Sequence, residues 1–153
     1  MANTYTQIHI HAVFAVKYRA AVLEKAWRAD VFKYMTGIVR AYDHKMLQIN
    51  GVEDHVHLLF GMRPTQSLSD LMQNVKRDSS KWINERGLVK GHFQWQGGFG
   101  AFSYSKSQVP TVATYIERQE AHHKKETFKK EYETILTNFD VNYDESYTFQ
   151  ELI

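Results

Sequence analysis

The fold of this chain is decided by the stretch Gly51-Val52-Glu53-Asp54-His55-Val56-His57-Leu58-Leu59-Phe60. Two histidines lie one residue apart in a run of β-branched and large apolar residues, a composition typical of a buried strand. Because side chains alternate between the two faces of a strand, His55 and His57 share one face, and Val56 and Leu58 share the other. The apolar face predicts helices packed against it. Two imidazoles on a rigid strand can bind one metal ion, although the pair also fits two ordinary histidines without a metal.

Length and composition indicate one domain spanning residues 1–153. Apolar residues make up 43% of the chain, which is enough for a core, and the charged fraction of 24% is ordinary. The aromatic fraction of 14% argues against disorder and leaves rings for stacking on nucleic-acid bases or for a dimer interface. The chain has no cysteine, so any metal site must use His, Asp, Glu, Gln or Tyr.

Charge is distributed unevenly along the chain. Residues 140–153 contain no Lys or Arg and four of the 17 acidic residues, namely Asp140, Asp144, Glu145 and Glu151, which leaves 19 basic against 13 acidic residues elsewhere. This balance suits a polyanionic partner without requiring one. The N-terminus lacks the pattern of a signal peptide, and no apolar run approaches the ~20 residues that span a membrane, which predicts a cytoplasmic protein.

The hydrophobic periodicity predicts alternating strands and helices. Strands are expected over residues 5–16, 46–50, 55–61 and 99–105, and helices over 22–42, after the caps Ser67 and Ser107, and around 128–136. This order predicts a ferredoxin-like α+β fold, with helices on one face of an antiparallel sheet and an added C-terminal tyrosine-bearing helix. The first and third strands are neighbours in such a sheet, so His9 and His11 are expected beside His55 and His57.

A second candidate motif is Thr114-Tyr115-Ile116-Glu117-Arg118-Gln119. Tyr115 and Gln119 are four residues apart, so on one helix they lie one turn apart on the same face. Gln119 can supply a neutral oxygen ligand to a metal, and Tyr115 can attack a phosphate held on it. The pair also fits a tyrosine at a packing boundary beside a solvated glutamine.

Four segments, in this order, make nearly the whole chain resemble the small single-tyrosine transposases of IS200-like insertion sequences, a branch of the HUH endonucleases. The segments are 5–14 (YTQIHIHAVF), 52–59 (VEDHVHLL), 95–103 (WQGGFGAFS) and 115–123 (YIERQEAHH), within a similarity that runs from about Tyr5 to Tyr147. The resemblance implies that His55, His57 and Gln119 hold the metal and that Tyr115 is the nucleophile.

The resemblance also implies an activity. Single-stranded DNA is cleaved and rejoined at insertion-sequence ends through a 5′-phosphotyrosine intermediate, with Mg²⁺ or Mn²⁺ as cofactor. No ATP is expected, and no phosphate loop of the type Gly-x-x-x-x-Gly-Lys-[Ser/Thr] is present. DNA hairpins and a homodimer that exchanges tyrosine helices are the implied partners, in a bacterium or archaeon.

DNA contacts are expected from two basic groups, although such groups are often simply solvated. They are Lys17 and Arg19 after the first strand, and Lys76, Arg77 and Lys81 on the outer side of the second helix. Residues 117–133 are interpreted as a solvated helix because glutamates cancel its lysines. His122 and His123 are expected at the surface, with an approach of one of them to the metal or the leaving oxygen as the alternative.

Three other functions fit the same residues. A domesticated relative would process genomic hairpins with the same chemistry. A non-catalytic ferredoxin-like nucleic-acid-binding module would bind hairpins without Tyr115, and a metal-dependent phosphoesterase would use water and never trap DNA covalently.

Overall fold

A computed structural model describes residues 3–141 of the chain. Asp144, Glu145 and Glu151 of the acidic segment, and Tyr147 at the end of the expected similarity, lie outside these residues. The described elements are β1 (His9–Ala15), α1 (Lys25–Ala41), β2 (Lys45–Gly51), β3 (His55–Gly61), α2 (Leu68–Glu85), β4 (Gly100–Tyr104), α3 (Val109–Glu117), α4 (Gln119–His123) and α5 (Phe128–Asn138). Short 3-10 turns follow β1 and precede α3, at Lys17–Arg19 and Lys106–Gln108.

The strands form one sheet in the order β2-β3-β1-β4, and every neighbouring pair is antiparallel. This is the strand order of the ferredoxin-like arrangement, which confirms the predicted fold class. Strands β1 and β3 are central neighbours, with Val13 opposite His57 and Ala15 opposite His55. The histidine pair therefore lies at the centre of the sheet, towards the end of β1.

The main core lies on the sheet face opposite the histidines. Val56, Leu58 and Phe60 of β3 are fully buried there against α1 and α2. The helices contribute an apolar stripe at helical spacing. Its fully buried members include Val31, Met35, Val39, Leu71 and Val75.

The second face of the sheet is also covered, by the helices that follow β4. Val112 and Ile116 of α3 pack on Leu59, and Phe128 of α5 packs on Val13 and Ala15. The expectation placed the main helices on one face only. Because α3 and α5 bury the other face, a polar group there must find its partners inside the protein.

Several boundaries differ from those expected. The first strand begins at His9 rather than at residue 5, and Tyr5 is 89% exposed. Ser67 caps α2 as expected, because its Oγ accepts a hydrogen bond from the backbone N–H of Asp70 at 3.1 Å. The assignment of Ser107 as the next cap is wrong.

Gln108 precedes α3 and makes no capping hydrogen bond to it. Its Oε1 instead accepts hydrogen bonds from the backbone N–H and the hydroxyl of Ser105, at 3.0 and 3.1 Å. The turn before α3 is thus closed by Ser105 and Gln108.

The expected single helix through Tyr115 and Gln119 is interrupted. Helix α3 ends at Glu117 and α4 begins at Gln119, with Arg118 between them at φ −95° and ψ 22°. Tyr115 and Gln119 therefore lie on successive short helices, and their meeting depends on the angle between them. None of the helices in residues 3–141 has the length and apolar character of a membrane span.

Candidate metal and tyrosine site

His55 lies at the start of β3 and has polar partners for both ring nitrogens. Its side chain is fully buried, Nδ1 lies 2.7 Å from Asp54 Oδ1, and Nε2 lies 3.2 Å from Gln119 Oε1. The ring also stacks on Phe128 of α5 at a centroid distance of 4.2 Å. These contacts hold the imidazole in one orientation, with Nε2 directed at the helices beyond β4.

His57 is oriented by a neighbour on β1. Its Nδ1 lies 2.8 Å from Nε2 of His11, and the two rings stack with centroids 5.0 Å apart. The other nitrogen, Nε2, lies 3.2 Å from Glu131 Oε1. The expectation that His11 lies beside the histidine pair is therefore confirmed, and His11 is the partner of the nitrogen that does not face Glu131. The same expectation for His9 is wrong, because His9 lies opposite Gly61 at the other end of β3.

A buried carboxylate lies at the centre of the cluster. Oε1 of Glu131 is 3.2 Å from Nε2 of His55, 3.2 Å from Nε2 of His57 and 2.9 Å from Nε2 of His123. The Glu131 side chain, from α5, is 2% exposed. Three imidazoles from two elements thus surround one carboxylate oxygen.

The second oxygen of the same carboxylate contacts the tyrosine and the glutamine. Oε2 of Glu131 accepts hydrogen bonds from the Tyr115 hydroxyl and, at 3.1 Å, from Nε2 of Gln119. The Tyr115 ring meets the His57 ring edge to face at 5.9 Å between centroids. Gln119 is fully buried, so the alternative of a solvated glutamine is wrong.

The charges of these groups are strongly coupled. Burial opposes ionisation of Glu131, but hydrogen bonds from His123, His55 and His57 outweigh it and hold the pKa of the carboxyl well below its usual range. Burial and the negative charge of Glu131 raise the pKa of the Tyr115 phenol well above its ordinary value of 10.0. Without a cation nearby, Tyr115 is a neutral phenol hydrogen-bonded to a carboxylate.

The three buried histidines of the sheet titrate differently. Burial lowers the pKa of His57 to about 4 and that of His11 to about 3. Burial also disfavours the charged form of His55, but the contacts with Asp54 and Glu131 prevail and raise its pKa to about 8. At neutral pH, His11 and His57 are neutral, and a neutral imidazole is the form that binds a metal.

The donor set fits a divalent metal ion. The nitrogen and oxygen atoms that His55, His57, His123 and Glu131 offer lie within 4.8 Å of one another. Asp54 behind His55 and His11 behind His57 occupy the positions of the groups that usually orient metal-bound imidazoles. The structure brings together the four residues expected from the sequence, namely His55, His57, Tyr115 and Gln119. The Oε1 atom of Gln119 lies beside His55, and the Tyr115 ring contacts the His57 ring.

Sequence reasoning missed Glu131 and favoured a surface position for His123. Residues 117–133 are not one solvated helix, because Glu131 is buried and the His123 side chain is only 9% exposed. Glu131 follows Phe128 by three residues and precedes Leu136 by five, so it interrupts the buried stripe of α5. A single carboxylate within an apolar helical stripe is the signal that could have indicated a buried partner for Glu131.

The basic residues expected to contact DNA fall into two groups. Arg19 lines an open cleft of about 480 Å³ together with Asp54, His123 and Lys124, next to the cluster. Lys17 follows β1 as well and donates a hydrogen bond to Gln94 Oε1 at 3.1 Å. These two residues therefore lie at the end of the sheet where the histidines are.

The second basic group lies on α2, across the sheet from the histidines. Arg77 pairs with Asp78 at 2.9 Å, and Lys81 lies 3.8 Å from Glu85. The expected outer position of Lys76 is wrong: its ammonium group is half-buried and donates to the carbonyl oxygens of Gln96 and Gly98, at 2.7 and 2.6 Å. Burial lowers the pKa of Lys76. Its two hydrogen bonds stabilise the glycine-rich loop before β4.

Comparison with known proteins identifies relatives that are transposases of insertion sequences. A transposase from the insertion sequence ISDra2 of Deinococcus radiodurans, TnpA, is 23% identical over 118 residues, which cover 74% of this chain and 84% of the relative. The transposase of the insertion sequence IS200 from Salmonella typhimurium is 26% identical over 124 residues, covering 78% of this chain and 81% of that protein.

Solved structures share the fold. A crystal structure of a candidate transposase from Deinococcus radiodurans R1 superposes with a TM-score of 0.63 at 21% identity, over 78% of this chain and 95% of the other. A REP-associated tyrosine transposase bound to a REP hairpin superposes with a TM-score of 0.60 at 12% identity, over 80% and 73% of the two chains. The sequence model of IS200-like transposases matches residues 4–119, most of the length of the chain. The chain therefore belongs to the family of IS200-like transposases, which are of the single-tyrosine (Y1) type.

Proposed function

We propose that this transposase cleaves and rejoins single-stranded DNA at the ends of an insertion sequence, with Tyr115 as the nucleophile. The Tyr115 oxygen forms a bond to the phosphorus of a backbone phosphate, and the bond from phosphorus to the 3′ oxygen breaks. The phenol loses its proton, and the departing 3′ oxygen gains one. The products are a 5′-phosphotyrosine and a free 3′-hydroxyl, and rejoining reverses the same steps without ATP.

One observation carries this proposal: the Tyr115 hydroxyl contacts the same carboxylate that the nitrogens of His55 and His57 face. A phosphate placed beside the imidazole nitrogens is then within reach of the phenol. His55, His57 and Gln119 are the proposed metal ligands, as expected from the family. The metal is Mg²⁺ or Mn²⁺, and when bound it polarises the phosphate and stabilises charge that develops in the transition state.

The electrostatics of the site explain why such chemistry needs a cation. Burial and the charge of Glu131 raise the pKa of Tyr115, so the metal-free site disfavours the phenolate. Positive charge at the imidazole nitrogens offsets the charge of Glu131 and favours ionisation of the phenol. Charge balance therefore supports the proposed metal, in addition to its role in phosphate binding.

The proposed substrate is a DNA hairpin with a single-stranded extension, and the protein acts as a homodimer. The similarity in fold to a protein bound to a REP hairpin supports the first of these. We place the single strand in the cleft lined by Arg19 and Lys124, which opens beside His123. Lys17, Arg77 and Lys81 are proposed to contact phosphates further from the site.

Trapping the covalent intermediate tests the proposed reaction. The full chain is mixed with Mn²⁺ and single-stranded DNA that contains the hairpin and flanks of its own genomic locus. We expect a protein–DNA adduct that survives denaturation, and we expect Tyr115→Phe to abolish it because the attacking oxygen is gone. Denaturing gel electrophoresis with labelled DNA measures the adduct.

Tyr34→Phe is the matched control. Tyr34 is also partly exposed, but it stacks on Trp82 of α2, across the sheet from the histidines, so its adduct should equal that of the wild type. Cleavage by the wild type without any adduct would support a phosphoesterase that uses water. Hairpin binding without cleavage, unaffected by chelators, would support a non-catalytic binding module.

A further inference from the structure

We propose that Glu131 is an anionic ligand of the metal and that the same carboxylate positions Tyr115, with His123 completing the ligand set. This inference deepens the proposed function and rests on it for the role of Tyr115. Glu131 and His123 lie beyond the segment 4–119 that matches the family model. The assignment comes from the contacts of α4 and α5 in this chain.

The metal side of the carboxylate is Oε1. It lies 2.9–3.2 Å from three imidazole nitrogens that belong to His55, His57 and His123. Nitrogen atoms that converge in this way around one point are arranged as the ligands of a metal ion are. A bound metal ion would be held by these four side chains and by the amide oxygen of Gln119, in place of the hydrogen bonds between them.

The tyrosine side of the carboxylate is Oε2. It accepts hydrogen bonds from the Tyr115 hydroxyl and from Nε2 of Gln119, whose own Oε1 lies 3.2 Å from His55 Nε2. One rigid group therefore touches the ligand cluster with one oxygen and the phenol with the other. Through Glu131, the position of the metal determines the position of the attacking oxygen.

Burial and charge indicate that this carboxylate is paired with a cation. Glu131 is the one buried Asp or Glu residue within residues 3–141. A buried carboxylate is costly unless it is paired, and the groups that face Glu131 are the imidazoles of His55, His57 and His123. A divalent ion held at these imidazole nitrogens would pair with the carboxylate.

The ligand set also selects among metals. Three imidazoles and one carboxylate, beside the amide oxygen of Gln119, suit Mn²⁺ and other transition metals, whereas Mg²⁺ prefers oxygen ligands and retains its water. We therefore expect the full chain to bind Mn²⁺ more tightly than Mg²⁺. With His55, His57 and Gln119 alone, the ligand set would carry no negative charge.

Manganese binding without DNA tests the ligand assignment. Free Mn²⁺ is measured by electron paramagnetic resonance during titration of the full chain. We expect Glu131→Gln to weaken Mn²⁺ binding at least about tenfold, because it removes the anionic ligand in a nearly isosteric side chain. Glu133→Gln, which removes the same charge from the same helix outside the cluster, and Tyr115→Phe should both bind Mn²⁺ as the wild type does.

The positioning role is tested at saturating Mn²⁺. Glu131→Gln should bind the hairpin with unchanged affinity and form the adduct at least about tenfold more slowly, because the phenol is held differently. Circular dichroism checks that the variant is folded. If it is not, His123→Gln carries the metal test, with the same expected loss of Mn²⁺ affinity.

The outcomes separate this inference from the proposed function. Wild-type Mn²⁺ affinity in Glu131→Gln, or tighter binding, overturns the ligand assignment even if the wild type forms the adduct. If Glu131→Gln forms the adduct at the wild-type rate at saturating Mn²⁺, the positioning role of Glu131 is overturned. If Glu131→Gln loses Mn²⁺ but the wild type never forms an adduct, the metal site stands and the strand-transfer function fails.

Discussion

At the scale of single residues, the site depends on side chains that are buried with their polar atoms paired. Glu131 and His57 are costly to bury separately, but each satisfies the other across 3.2 Å. His11 and Asp54 lie behind the two histidines of β3 and orient them. The pKa of His55 is raised and the pKa values of His11 and His57 are lowered, so the stability of the metal-free protein must depend on pH.

Between about pH 4 and 9, we expect the melting temperature of the metal-free protein to be highest near pH 6.5. His11 and His57, with folded pKa values of about 3 and 4 against 6.5 when unfolded, stabilise the fold above pH 6.5 and lose this contribution as the pH falls. His55, with a folded pKa of about 8, stabilises the fold below pH 6.5 and loses its contribution as the pH rises through 8. Thermal unfolding in EDTA measures the profile.

A variant at an exposed histidine, His92→Asn, is the control for this profile and should leave its shape unchanged. A melting temperature that rises steadily as the pH falls to about 4 would contradict the assignment of His11 and His57 as neutral buried groups.

At the scale of elements, the positions of β3 and α3 to α5 depend on short connections. The turn from β2 to β3 brings the backbone of Gly51 against the carbonyl group of His55, so close that a Cβ atom at Gly51 would collide with it. Helix α1, in contrast, contains Gly37 at an exposed position, where a Cβ atom would have no neighbour within 4 Å. The two glycines thus differ in what a methyl group would meet.

Substitution of each glycine by alanine should change stability in opposite directions. Gly37→Ala should raise the free energy of unfolding by about 0.5–1 kcal/mol, because alanine loses less backbone entropy in a helix. Gly51→Ala should lower it by more than about 1 kcal/mol, because backbone must move to relieve the collision. Urea denaturation measures both, and equal effects of the two changes would contradict the described turn.

At the scale of the whole molecule, the tyrosine and the histidines of one chain lie together. Tyr115 reaches Glu131 and the His57 ring of its own chain, although the family resemblance implied an exchange of tyrosine helices between subunits. A site complete within one chain does not require that exchange. Dimerisation itself stays a prediction.

Mixing two inactive variants distinguishes the two arrangements. In a mixed dimer of Tyr115→Phe and His57→Ala, exchanged helices would create one intact site, whereas sites within single chains would both be defective. From the contacts of this chain we expect the mixture to form no adduct. The dimers are unfolded and refolded together to ensure subunit exchange, and recovery of about half the wild-type adduct per mixed dimer would establish the exchanged arrangement.

The sequence by itself determined the order of strands and helices and the central position of the histidine pair, and it predicted His55, His57, Tyr115 and Gln119 as site residues. The strands, the helices and the histidine pair follow from local patterns, because hydrophobic periodicity and turn residues act over a few neighbouring positions. The family resemblance then added what the local patterns lacked, namely roles for a tyrosine and a glutamine far along the chain.

Only the tertiary structure decided that Glu131 and His123 join the cluster, that the tyrosine helix breaks at Arg118 and that Lys76 is fastened to the loop before β4. Glu131 is 74 residues from His57 along the chain, and no local pattern carries the distance between them. Their meeting depends on how α5 packs over Val13 and Ala15, and on the cost of burying a carboxylate without partners. Packing of one element on another, and the pairing of charges that it enforces, are properties of the folded chain as a whole.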